Sequence, residues 1–134
     1  MKPAYLLDSS ACVPILRNKV GLGKLPDPAL CGIPVIVAAE LWTGVKKNLK
    51  THPQHAARLE AFLSLFLVAE FTMDDAQHYA EIRATLEAKG KTIGPLDLLI
   101  AAQARSLGAT LVTSNVDEFK RVKGLKVLAW KPQL

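Results

Sequence analysis

From Pro95 to Ala104 the chain is apolar nearly all the way round a helical wheel, and its one charge there is Asp97. A helix of that kind is enclosed on all sides rather than laid on a surface by one face. Pro95 suits its first turn, where a missing N–H costs nothing. No other residue between Lys91 and Arg105 ionises. In a first turn Asp97 would complement the helix dipole by ~0.3–1 kcal/mol, which is an ordinary structural role. That role is a weaker explanation when the same oddity recurs.

It recurs twice. Asp8 is the lone acid between Lys2 and Arg17, and Glu40 the lone charge between Asp27 and Lys46. The other nine of the twelve acids lie in polar or turn-like stretches. An uncompensated buried carboxylate costs several kcal/mol, and three of them would exceed the stability of a typical domain. They must be neutralised, paired, or line a cleft. No lone Lys or Arg lies in the core-forming segments to match them. A divalent cation does match them, because clustered carboxylates and water are what Mg2+ or Mn2+ prefers.

The order of elements puts the three acids together. Pro3–Asp8 reads as a short buried strand, followed by a helix from about Ala11, with Ser9 or Ser10 as cap and Pro14 tolerable only in its first turn. Arg17–Gly32, with two glycines and two prolines before Gly32, reads as loop or broken helix. Ile33–Val37 is a second strand that feeds a helix through Val45 into the basic Lys46-Lys47-Asn-Leu-Lys50. A helix over about Gln54–Leu67, a short strand within Phe66–Phe71 and a helix from Asp74 or Asp75 to about Lys89 follow. The central helix stops at Gly108, and strands Ala109–Thr113 and Lys126–Trp130 flank the polar turn Ser114–Glu118. Strands alternating with longer helices indicate one α/β domain over residues 1–134, with a central, mostly parallel β-sheet flanked by α-helices. In such a sheet the carboxyl ends of the strands and the adjoining helix starts form the site crevice, and all three acids fall there. Asn115 reaches the same edge and is suited to position water or a ligand. Asp117 or Glu118 would add charge, or simply cap the next helix.

Composition narrows the partners. Seventeen Lys and Arg against twelve Asp and Glu give a net charge of +5, which favours a polyanion or an acidic protein. No apolar run reaches the roughly 18–20 residues that span a membrane, and the N-terminus has no signal-peptide pattern, so a cytoplasmic protein is expected. Cys12 and Cys31 read as buried thiols. His52, His55 and His78 show no zinc spacing, and Trp42 and Trp130 read as packing residues before base-stacking ones. A phosphotransfer role for Asp8 fails because its strand lacks a second nearby acid and no lone lysine follows a later strand.

Four segments, Leu6-Leu-Asp-Ser-Ser10, Ala38-Ala-Glu-Leu-Trp-Thr-Gly44, Gly94-Pro-Leu-Asp-Leu-Leu-Ile-Ala-Ala102 and Leu111-Val-Thr-Ser-Asn-Val-Asp-Glu-Phe119, resemble the signature blocks of PIN-domain ribonucleases. Among these they most resemble the VapC toxins of prokaryotic toxin–antitoxin pairs. The resemblance implies a PIN-like fold and a Mg2+-dependent endoribonuclease, with Mn2+ as an alternative metal. It also implies an RNA substrate, a cognate VapB-type antitoxin and a homodimer. It places Asp8, Glu40 and Asp97 at the metal-binding positions and Asn115 at a fourth, usually acidic one; together they are the expected catalytic set. Ser9 and Ser10 stand where the family usually has Thr-Asn. Lys46, Lys47 and Lys50, with Lys120, Arg121 and Lys123, are the candidates for holding the RNA backbone, by contacts that give affinity and salt dependence but little sequence choice. Asn115 also admits a different reading, a PIN-like module that binds RNA or protein without cleaving.

Overall fold

The computed structural model describes residues 2–17, 21 and 25–130. Its frame is a five-stranded sheet in the order β3-β2-β1-β4-β5, parallel throughout. The strands are β1 (Tyr5–Leu7), β2 (Cys31–Pro34), β3 (Leu67–Ala69), β4 (Thr110–Thr113) and β5 (Lys126–Ala129). Helices α1 (Ser9–Leu16), α2 (Val35–Lys47), α3 (His55–Leu63), α4 (Met73–Ala88), α5 (Pro95–Leu107) and α6 (Val116–Phe119) connect them. The chain steps outward from β1 to β3, then crosses back to β4. Right-handed crossovers therefore put α1–α3 on one face of the sheet and the α4–α5 pair on the other. The reversal falls between β1 and β4, where Leu6 pairs with Leu111 and Leu7 with Val112. All four of these side chains are fully buried.

Several boundaries differ from the sequence expectation, each for a local reason. Asp8, not Ser9 or Ser10, caps α1, its carboxylate accepting from the Ala11 N–H. With the helix starting at Ser9, Pro14 lies in its second turn, where it removes a bond to the Ser10 carbonyl, and α1 ends two residues later. The second strand is Cys31–Pro34, so Cys31 and Gly32 leave the expected loop, while Val35–Val37 begin α2. Pro34 makes that switch: it offers no N–H to a longer ladder and caps the helix at φ −55° and ψ 139°. Gly32 is tightly enclosed in β2: a Cβ there would come within 3.1 Å of the Pro3 ring, which would have to give by a few tenths of an ångström. The rest of the expected Arg17–Gly32 loop contains a 3-10 turn at Pro28–Leu30; residues 18–20 and 22–24 lie outside the described residues.

Helix α3 ends at Leu63, short of the expected Leu67, because Leu67 is taken by β3. Thr72, not Asp74 or Asp75, caps α4 in a reciprocal pair: the Asp75 N–H donates to the Thr72 hydroxyl and the Thr72 N–H to the Asp75 carboxylate. That pairing leaves Asp75 only 1% exposed, although its neighbours read as a polar turn. Gly108 ends α5 in the left-handed region at φ 68°, as the sequence implied. Cys12 and Cys31 are both buried and unpaired. Among the described residues no helix is long and apolar enough to cross a membrane.

Candidate active site

Parallel strands bring their carboxyl ends to one edge, and the helices that precede or follow them start there. Asp8 is the first residue beyond β1, and its N–H donates to the Val112 carbonyl of β4 at 3.2 Å, so it sits at the reversal point. It is 4% exposed, and both oxygens of its carboxylate accept from neutral donors. Ser10 Oγ donates to Oδ1 at 2.6 Å, the Ala11 N–H donates to the same oxygen at 3.1 Å, and the Thr113 hydroxyl donates to Oδ2. Burial pushes the Asp8 carboxyl above its usual range, and these bonds oppose that rise.

The donors are themselves fixed. Ser10 Oγ accepts from the Ser114 N–H at 2.9 Å, and Thr113 Oγ1 accepts from the Asn115 N–H at 2.9 Å. The turn after β1 is thereby tied to the turn after β4. Ser10, at one of the two positions where the family usually has Thr-Asn, is thus the side chain that donates to Asp8 Oδ1. Thr113 was not singled out from sequence. Its hydroxyl is fully buried at the last position of β4, whose sequence Thr-Leu-Val-Thr gives no sign of it.

Glu40 lies within α2 rather than at its start, in the second turn, half-buried, with Oε1 buried and lacking any hydrogen-bond partner. Burial first, and then the charge of Asp8, raises its pKa. Asp97 is the third residue of α5, after Pro95, and its carboxyl is pushed up to about 6. Burial is the largest cause, followed by the charges of Glu118, Asp8 and Glu40. Three acids from three elements therefore feel one another across a shared edge. The ion pairs among the described residues, Arg83–Glu87 and Arg105–Glu81, include none of them.

A fourth acid joins them, and it is Glu118 rather than Asp117. Glu118 Oε1 accepts from the Gly94 N–H at 3.0 Å, and Oε2 accepts from the Asn115 side-chain amide. Those bonds, with a proton shared from Asp97, hold its pKa below the ordinary value. Asn115 is exposed and reaches Asp97 through Glu118, not directly. Among the described residues no three His, Cys, Asp or Glu side chains converge closely enough to hold a metal ion as they stand.

The basic candidates divide. Lys46 and Lys47 end α2 and are exposed, with Lys46 Nζ 5.7 Å from the centre of the Trp42 ring. Lys47 is seven residues beyond Glu40, two turns along the same helix face and about 10 Å away. Lys120 is exposed after α6. Arg121 lies near Glu118, but also donates to the Thr92 carbonyl at 3.1 Å, which gives it a structural role.

An all-parallel sheet with helices on both faces and carboxylates at its carboxyl edge defines the class, and sequence comparison agrees: the PIN-domain profile matches residues 5–125, and the chain belongs to the PIN-domain family. Its relatives within that family are VapC proteins. It is 38% identical over 131 residues to Ribonuclease VapC2 of Rickettsia felis, covering 94% of this chain and 97% of that one. It is 33% identical over 130 residues to the tRNA(fMet)-specific endonuclease VapC of Shigella flexneri, with the same coverage. In three dimensions it matches a chain of the Rickettsia felis VapBC2 crystal structure, bound to a DNA fragment from the promoter. The TM-score is 0.86 and the identity 37%, covering 95% of this chain and 98% of that one.

Proposed function

We propose that this chain is the endoribonuclease toxin of a VapBC-type toxin–antitoxin system, cleaving RNA in the cytoplasm with Mg2+, or Mn2+, at the Asp8–Glu40–Asp97 edge. We also propose that it forms a homodimer and binds a VapB-type antitoxin. The observation that carries the activity is the placement of Asp8, Glu40 and Asp97, from three elements, at one edge of the sheet, with none of them in an ion pair among the described residues, in a chain whose relatives are VapC ribonucleases. Burial raises all three carboxyls, and the charge of Asp8 adds to the rise of the other two. Such an arrangement is unfavourable in isolation, and a divalent cation relieves it.

The donor set fits a hard cation. Every available atom is a carboxylate oxygen; Asp8 Oδ2 accepts one hydrogen bond and keeps a lone pair; Glu40 Oε1 is buried with nothing to accept from. Mg2+ keeps several waters and is held through one or two carboxylates, so three converging side chains are not required. When bound, the cation supplies positive charge to the scissile phosphate and lowers the pKa of an attacking water.

The chain's own residues do the rest. Ser10, Thr113 and the Ala11 N–H fix Asp8 in one rotamer, so that it is preorganised rather than ordered at the moment of reaction. Asp97, protonated in part near neutrality, would give up that proton to solvent when a cation binds. Glu118, bonded to Gly94 and Asn115 and held below its ordinary pKa, stays ionised beside it and orients the Asp97 carboxyl. Glu40 offers its unpartnered oxygen to orient a water. In-line attack leaves a 5′-phosphate and a 3′-hydroxyl.

The test is cleavage of total cellular RNA by antitoxin-free protein in Mg2+, Mn2+ or EDTA, with Asp97→Asn alongside. Discrete fragments that require metal and vanish in the variant are expected. The competing reading, a module that binds without cleaving, draws on Asn115, whose amide is spent on Glu118 and which puts no acid at the fourth position. Folded protein that binds Mg2+ and RNA and cleaves nothing would establish that reading instead.

A further inference from the structure

The positive charge of this chain is unevenly spread. From Phe119 to the last residue it carries five Lys or Arg and no Asp or Glu, a surplus equal to the net charge of the whole. Two of the five, Arg121 and Lys123, border a crevice of about 70 Å³ between α4, α5 and the turn after α6. Its floor is the buried Ile82, Leu86 and Val122, and Arg105, Thr85 and Glu81 complete its rim. Arg121 and Lys123 are exposed, and neither is in an ion pair among the described residues. Arg105, its side chain 14% exposed, is fixed in place. Its Nε donates to His78 Nδ1 at 2.9 Å, Nη1 to the Lys123 carbonyl at 3.1 Å and Nη2 to Glu81 Oε1 at 3.1 Å. A guanidinium has five N–H donors, so one on each terminal nitrogen is left for an anion.

We propose that this crevice seats one backbone phosphate of the bound RNA, a short way along the strand from the phosphate that is cut. The inference rests on the ribonuclease reading and deepens it. Charge selects an anion: three cations face one acid, Glu81, which is already spent on Arg105. A phosphate brings several acceptor oxygens, and the spare Arg105 donors, the Lys123 ammonium and the Thr85 hydroxyl are what it accepts from. Arg105 is held beforehand by α4 and by the turn, so little side-chain freedom is lost when an anion arrives. Position selects the RNA. Arg121 lies near Glu118 and donates to the Thr92 carbonyl at 3.1 Å. Thr92 is two residues, at most ~7 Å of chain, before Gly94, whose N–H binds Glu118. A strand leaving the acidic edge on this side therefore crosses Arg121 to reach the crevice. Such a contact adds affinity and salt dependence, and no sequence choice.

The experiment measures binding of a uridine octaribonucleotide by fluorescence anisotropy over a salt series, with Ca2+ in place of Mg2+ to suppress cleavage. Thr85→Glu puts a carboxylate into the crevice from an exposed helix position, which keeps the helix and excludes the phosphate. It should weaken binding about tenfold, the scale of one charge-assisted hydrogen bond, and flatten the slope of log affinity against log salt by about 0.7. Ala61→Glu makes the same charge change at an exposed position of α3, on the opposite face of the sheet and beyond the ~8 Å Debye length, and should match wild type. In wild-type protein the octamer should shield Lys123 from acylation by an N-hydroxysuccinimide ester, read by mass spectrometry, and leave the exposed Lys2 open. That readout is independent of how any variant folds. Equal affinity and slope for Thr85→Glu and wild type, equal losses in the two variants, or an unshielded Lys123 would each overturn the proposal. Shielding of Lys123 by poly-L-glutamate or inorganic phosphate but not by RNA would overturn it too, assigning the crevice to an acidic peptide or a free anion. Any of these with metal-dependent cleavage intact sinks this inference alone, whereas neither binding nor cleavage by wild type sinks the ribonuclease reading with it.

Discussion

Replacing Asp97 by Asn should stabilise the metal-free protein and weaken its response to Mg2+, two effects of opposite sign from one substitution. The folded-state pKa of about 6 lies above the ordinary value of 3.8, so the native state holds this proton more tightly than the unfolded chain. Stability from that proton is fully present below about pH 4 and is lost as pH rises through 6. At face value the shift is worth ~3 kcal/mol at neutral pH, and solvent screening of a partly exposed side chain reduces that to ~1–2 kcal/mol. Asparagine keeps the shape and removes the charge. In EDTA at pH 7.5, Asp97→Asn should therefore melt roughly 3–8 °C above wild type, with the gap closing by pH 4.5. Mg2+ at a hundred times its Kd should stabilise wild type by ~2.7 kcal/mol and the variant by clearly less. Thermal melts of both proteins at the two pH values, with and without Mg2+, provide the assay. A variant no more stable than wild type in EDTA at pH 7.5, or one with an undiminished Mg2+ response, would refute the reasoning.

Thr113→Val should cost ~1–3 kcal/mol in urea denaturation and abolish most RNA cleavage, because it removes a donor from a buried carboxylate while keeping the strand's shape. Gly108→Ala should cost about 1 kcal/mol in the same assay, since φ 68° strains any residue with a Cβ. Joint replacement of Lys46 and Lys47 by Ala should weaken RNA binding across sequences and flatten its salt dependence by about 0.7 log units per lost phosphate contact, read from affinity over a salt series. Cys12 and Cys31 should resist thiol reagents in the native state and react in denaturant, as burial raises both thiols, Cys31 to about 11.

The parts legible in the sequence were those with one physical solution. An apolar segment with a proline at its start and a glycine at its end reads as a buried helix, and α5 is buried from Leu98 to Ala104 apart from a partly buried Leu99, while Pro95 and Leu96 in its first turn are exposed. Isolated acids in core-forming segments had to meet at an edge, and Asp8, Glu40 and Asp97 do influence one another there. What was not legible depended on long-range pairing. The β-branched run Val35-Ile-Val37 reads as strand by propensity, yet Pro34 turns it into the first turn of α2. Thr113 reads as an ordinary strand residue until β4 lies beside β1 and its hydroxyl meets Asp8. Asp117 and Glu118 were equivalent as adjacent letters. The α6 turn separates them, and Glu118 alone reaches Gly94.

The central claim is that water, activated at the carboxylate edge, cuts the RNA backbone, and the ends of the fragments test it most directly. Fragments from a Mg2+ digestion should ligate to an adaptor that requires a 5′-phosphate and carry free 3′-hydroxyls, with none formed by Asp8→Asn or Asp97→Asn. Fragments ending in 2′,3′-cyclic phosphate and 5′-hydroxyl, or produced equally in EDTA, would mean that the ribose 2′-hydroxyl is the nucleophile and would contradict the account.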